Sequence, residues 1–224
     1  MPRIQPARLP LYASFIFHLR TLPMLIFSVS RPVTGDALTP ARLDALSRRA
    51  RQGGQTCEYC GYDSPHNTVL FCDGDPRHTT DDNLTVADPY CQAWLALDQT
   101  GADRGVMVSL PLLSPEDVNH LQRTIAQALA VGDEQYQQDA RALLDWLTSH
   151  DNTVIQHWGT AHPQAFAEVL NRTPPAQRGE VTARWRHLAL ILNPRRLRGR
   201  LADAPPENAT TWWHRFYLDY RARG

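Results

Sequence analysis

Four cysteines, at positions 57, 60, 72 and 91, constrain this chain more than any other feature. Cys57-Glu58-Tyr59-Cys60-Gly61 offers two thiols from one tight turn, and the glycine permits the backbone to reverse after the second. Zinc takes three or four such soft or borderline donors in a tetrahedron. Cys91 follows far enough along for a hairpin to fold between the donors. It also falls near the start of a predicted helix, where the dipole favours a thiolate. Asp88 precedes Cys91 by three residues and repeats the knuckle spacing with a carboxylate. The expected donors are therefore Cys57, Cys60, Asp88 and Cys91 around a structural Zn2+, with Cys72, His66 and His78 as alternatives for the fourth place. Cys72 lies in an apolar run and is expected in the core. A redox Cys-x-x-Cys would open a helix in a βαβ unit, whereas this one follows a helix and precedes a strand.

The rest of the composition narrows the field. A chain of 224 residues can bury an ordinary core without disulfides. The formal net charge is zero, so no global field recruits nucleic acid or an acidic membrane surface. All 23 basic residues are arginine. The segment from Leu9 to Val29 is apolar enough to resemble an export signal or a membrane span, but His18, Arg20 and Pro23 interrupt it and no small-residue cleavage pattern follows. Translation from Met24, with residues 1–23 as a mis-assigned extension, is the simpler expectation. A cytoplasmic chain follows from this reading.

Along the chain, Leu25–Val29 reads as a short strand. Thr39-Pro40 reads as a cap with proline at the first helical position, opening a helix whose apolar side is Leu43 and Leu46. Thr68–Cys72 reads as a strand, Asp73-Gly74-Asp75-Pro76 as a turn, and Asn83–Val86 as extended. A helix is expected from Pro89 through Leu97, and a strand at Val106–Leu110. Ser114-Pro115-Glu116-Asp117 is a strong helix start, and Val118, Leu121, Ile125 and Leu129 carry the 3.6-residue stripe behind it. Further helices are expected at Asp133–Thr148, Pro163–Leu170 and Gln177–Leu192, the last with Val181, Trp185, Leu188 and Leu192 on one side. The fold class is α+β: a zinc module within residues 24–130 followed by a helical region over 131–224.

The order of parts resembles an HNH (ββα-metal) nuclease finger: a Cys-x-x-Cys knuckle, a strand, an Asp-containing turn, Asn83-Leu84, then a second knuckle leading into a helix. In that superfamily a histidine follows the aspartate of the turn and activates water. Here Gly74 holds that place, and Gln92 stands where histidine or asparagine is expected just inside the helix. Read at length, Thr56–Tyr62, Asp73-Gly74-Asp75, Asn83–Val86, Cys91 and Leu110–Pro115 resemble the DotN (IcmJ) family of type IVB (Dot/Icm) secretion and related conjugation systems. The resemblance implies an HNH-like, treble-clef-like fold with structural zinc and no nuclease activity. It also implies an adaptor that binds the C-terminal extension of a DotL-type coupling ATPase, beside other secretion adaptors, at the cytosolic face of the inner membrane. Asp88 departs from the pattern, which places a cysteine there.

Two further features bear on partners. Arg178 to Arg200 contains seven arginines against one acid, Glu180. Arg184 and Arg186 read as a solvated helix face, while Arg195, Arg196, Arg198 and Arg200 are the candidate contacts for an acidic partner helix. Nucleic acid is not expected as the partner; the alternative readings are a diverged HNH nuclease or a non-cleaving nucleic-acid-binding protein of a conjugative element. Trp212, Phe216 and Tyr220 form a terminal stripe expected to dock on the protein's own core.

Overall fold

A computed structural model describes residues 24–30 and 39–196, apart from 51, 53, 76 and 102. The terminal aromatic stripe, Arg198, Arg200 and the extension before Met24 lie outside the described residues. The architecture is α+β, with seven helices and two small antiparallel sheets among the described residues.

Helix α1 (Pro40–Ala50) begins as expected, with the Thr39 hydroxyl accepting from the Arg42 amide. Strands β1 (Thr68–Phe71) and β2 (Leu84–Ala87) pair antiparallel, Thr68 opposite Ala87 and Phe71 opposite Leu84. Val69, Leu84 and Val86 close a small core with Leu46 of α1. Helix α2 (Pro89–Leu95) follows β2 after a single residue, Asp88. Strand β3 (Gly105–Ser109) then leads to α3 (Pro115–Val131), capped by Ser114, and α4 (Glu134–Thr148), capped by Asp133. Helices α5 (Asp151–Trp158), α6 (Pro163–Arg172) and α7 (Arg178–Arg184) precede the last strand, β4 (Leu188–Leu192), which pairs antiparallel with β3.

Three expectations are corrected, and one helix is added. Leu25–Val29 joins no sheet among the described residues. Leu25, Phe27 and Val29 alternate into the core, and the backbone bonds to the end of α2 through Ser28, which accepts from Leu97 and donates to Trp94. Phe27 stacks on Trp94 with ring centroids 4.2 Å apart. The long helix expected at Gln177–Leu192 stops at Arg184, and its second half is β4. Positions 181, 185, 188 and 192 satisfy a helical period, but Leu188-Ala189-Leu190-Ile191-Leu192 is a continuous apolar run buried at every residue, which suits a strand covered on both faces. Helix α5 was not anticipated. Cys72 is exposed rather than in the core, because it lies one residue past the end of β1 at the mouth of the hairpin.

The main core holds Cys57, Cys60 and Cys91 together with Leu25, Phe27, Tyr90, Trp94, Met107, Val118, Trp185 and all five residues of β4. These three cysteines are thus built into the centre of the protein.

Candidate metal centre

Cys57 and Cys60 occupy a turn closed by local hydrogen bonds. The Gly61 amide donates to the Cys57 carbonyl at 2.9 Å, and the Cys57 amide to the Tyr62 carbonyl at 2.8 Å. Gly61 has φ +71, so its lack of a Cβ is what makes the reversal cheap. The Glu58 amide donates to the Val86 carbonyl, which ties the knuckle to β2, and the buried Asn67 side chain donates to the Tyr62 carbonyl at 2.8 Å.

The second pair of donors comes from the start of α2. Asp88 is the N-cap: its Oδ1 accepts from the Tyr90 and Cys91 amides at 2.7 and 2.9 Å. Capping geometry places the cap side chain and the third helical residue side by side, so Asp88 and Cys91 face the knuckle together. The second carboxylate oxygen, Oδ2, lies 3.1 Å from the Cys60 Sγ.

One donor atom from each of Cys57, Cys60, Asp88 and Cys91 lies within 4.8 Å of all the others, and all four residues are buried. Among the described residues this is the group of His, Cys, Asp and Glu side chains with metal-holding geometry. The other possibilities for the fourth place fall elsewhere: Cys72 is exposed, and His78 pairs with Asp73 in the hairpin loop, its Nδ1 3.1 Å from Asp73 Oδ2. His66 is not part of the cluster.

The electrostatics fit a bound cation. Hydrogen bonds from the Cys60 and Cys91 thiols hold the Cys57 thiol far below its ordinary range. The same bonds push Cys60 and Cys91 upward, and burial adds to the rise. A divalent ion at this point would allow all three thiols to ionise. Cysteine sulfur and aspartate oxygen are both zinc donors, and these four residues supply as many as a tetrahedral site needs.

Helix α3 supplies a layer behind the donors that the sequence reading missed. The Asn119 amide donates to Cys91 Sγ at 3.4 Å and its oxygen accepts from Trp94 Nε1 at 3.2 Å. His120 Nε2 lies 3.0 Å from the Cys60 carbonyl, and its Nδ1 lies 2.8 Å from the Arg123 guanidinium. Burial, reinforced by the Arg123 charge, holds His120 below the usual imidazole range. Its Nδ1 therefore accepts from Arg123 while Nε2–H donates to the carbonyl. Arg123 is ion-paired with Asp88 Oδ2, and side-chain exposures of 4% and 1% place the pair inside the protein. Burial disfavours the guanidinium charge, but Asp88 and Cys60 outweigh it and raise Arg123 above its ordinary value. A signal for this layer exists in the sequence: Asn119, Gln122 and Arg123 are spaced to share one face of a helix whose neighbouring face is apolar.

In the hairpin loop, Asn83 is buried and structural. Its oxygen accepts from the Asp73 amide and its nitrogen donates to Asp73 Oδ1, both at 2.9 Å, and to the His78 carbonyl at 2.7 Å. Gly74, with φ +71, occupies the turn. Gln92 accepts from the Thr68 hydroxyl at 3.2 Å, which ties α2 to β1.

Of the expected partner contacts, Arg195 is exposed beyond β4, in a short 3-10 turn (Pro194–Arg196) that also contains Arg196. Among the described residues no helix is long and apolar enough to cross a membrane. The chain matches no protein-family model and no curated protein sequence.

Proposed function

We propose that this chain is a non-enzymatic, zinc-stabilised adaptor of the DotN (IcmJ) type. In this reading it binds the C-terminal tail of a DotL-type coupling ATPase in a type IVB secretion or conjugation complex, at the cytosolic face of the inner membrane. The observation that supports the structural half is the convergence of four buried candidate donors, Cys57, Cys60, Asp88 and Cys91, as many as a closed tetrahedral zinc takes. The succession of knuckle, β1–β2 hairpin and α2 supports an HNH-like, treble-clef-like module. A general base must lie within hydrogen-bond reach of its water, and Gly74 has no such group. The adaptor half rests on the resemblance in residues 56–62, 73–75, 83–86, 91 and 110–115. Arg195, Arg196, Arg198 and Arg200 then offer planar donors to an acidic partner helix.

The test is co-purification of the full chain with the C-terminal tail of a coupling ATPase encoded beside it. A stable complex, weakened by charge reversal at Arg195, is the expected result. No association with any such tail would end this reading.

One observation favours a second reading, a diverged nuclease. His78 is oriented by Asp73 through Nδ1 and contacts the Thr80 hydroxyl at 3.0 Å through Nε2, as an imidazole base is oriented by a carboxylate. Incubation with supercoiled plasmid and magnesium, manganese or zinc decides between them. Cleavage by the pure protein that disappears in His78→Ala would replace the adaptor with an enzyme.

A further inference from the structure

The buried arginine behind the donors poses a specific chemical question. A carboxylate replacing a thiolate has two oxygens and a rotatable terminal bond, so it coordinates well only if its orientation is fixed. In this protein that orientation is set from two sides. Oδ1 is held by the two α2 amides, and Oδ2 is held by Arg123 at the point where it faces Cys60.

Arg123 is itself held in place. Its guanidinium carbon lies 3.7 Å from the centroid of the Tyr62 ring and 5.5 Å from that of Tyr90, close enough for cation–π attraction. One terminal nitrogen donates to His120; the other reaches Asp88 and itself lies 3.7 Å from Cys60 Sγ. Tyr62 follows the first knuckle and Tyr90 lies within the second, so the two ligand-bearing turns and α3 meet on this side chain.

We propose that Arg123 is a positioning residue of the metal centre, locking Asp88 in the orientation that lets a carboxylate serve as the fourth ligand in place of a thiolate. It also offsets charge. Three thiolates and a carboxylate carry four negative charges, a divalent ion offsets two, and the guanidinium one more. Groups that orient metal ligands in this way typically change affinity about 10–100-fold when removed. The inference rests on the zinc assignment proposed above.

Zinc affinity of the full chain, measured by competition with a chromophoric chelator, tests it, with cobalt(II) absorption as a second readout. Arg123→Met is expected to weaken zinc about 10–100-fold and to shift the cobalt d–d bands while leaving the thiolate charge-transfer intensity unchanged. Arg123→Lys is expected to recover part of the loss. In an Asp88→Cys background the carboxylate is gone, so the same Arg123→Met change is expected to cost much less. Equal costs in the two backgrounds, or failure of Arg123→Met to fold in both, would mean that Arg123 supports the fold independently of Asp88 and would overturn the proposal. Unchanged zinc affinity and unchanged cobalt bands in Arg123→Met would do the same. A wild-type chain that takes up no metal would overturn the zinc assignment and this inference together, an outcome distinct from the others because it needs no variant.

Discussion

Asp88 does three jobs with two oxygens: it caps α2, faces the thiol cluster and neutralises Arg123. A single substitution there separates them. Asp88→Asn retains an acceptor for the α2 amides but removes the charge, leaving Arg123 buried without its counter-ion. Loss of one partner of a buried pair typically costs about 3–5 kcal/mol, so urea denaturation should register a loss of that order, with zinc content reduced. Cys57→Ser removes a donor outright. Because metal binding in such sites is folding free energy, this variant is expected to lose zinc and melt at markedly lower temperature. Metal analysis beside a thermal melt checks both, and retention of zinc with an unchanged Tm would remove the metal assignment. The hairpin loop offers a third residue-scale case. Asn83 makes three hydrogen bonds from a buried position, and Asn83→Ala should cost about 2 kcal/mol, given that stranded polar partners cost about 1–3 kcal/mol. Hydrogen exchange should show the loop between β1 and β2 opening first.

Among the elements, α3 carries the most information per turn. Val118 and Ile125 are apolar and buried, as the periodic stripe predicts, yet Asn119, Gln122 and Arg123 are buried beside them. Each polar side chain meets a specific need. Asn119 and Arg123 serve the thiol cluster, and Gln122 serves β4. The Gln122 amide donates to the Leu190 carbonyl at 2.9 Å and its oxygen accepts from the Leu192 amide at 2.6 Å. With β3 on one side of β4, Gln122 acts on the other side as a one-residue stand-in for a neighbouring strand. Unpaired backbone groups in such a position would be costly. Gln122→Met, similar in volume but unable to pair either group, is therefore expected to lower stability by about 2–6 kcal/mol, taking about 1–3 kcal/mol for each of the two stranded groups. Denaturant titration measures it. A loss well under 1 kcal/mol would mean that water replaces the side chain along β4.

At the scale of the whole molecule, the thiol cluster and the β3–β4 sheet belong to one core. Removal of the proposed zinc should therefore not melt the knuckle and hairpin and spare the rest. Under a strong chelator, far-ultraviolet dichroism and the fluorescence of buried Trp94 and Trp185 are expected to change together, in one transition. Two separated transitions would show that the knuckle and hairpin unfold by themselves. The same continuity predicts that a fragment ending before β4 exposes Met107 and Val108 and aggregates, because the strand that covers them is missing.

Much of this was legible in the residues, and the division follows the range of the forces involved. The Cys57–Gly61 turn, the Asp88 and Cys91 pair at a helix start, and the Ser114 and Asp133 caps each depend on hydrogen bonds within a few residues, so spacing alone determined them. What lay far apart in sequence was decided by packing. Leu188–Leu192 fits a helix by its own period and becomes a strand only because β3 is there to pair with it. Cys72 looks apolar in its run, yet the hairpin ends just before it reaches cover. Nothing in the local sequence around Arg123 names its partner, which is Asp88, 35 residues away. Local geometry forms each pair of candidate donors, and only the tertiary structure brings the pairs together and sets a buried charge beside one of them.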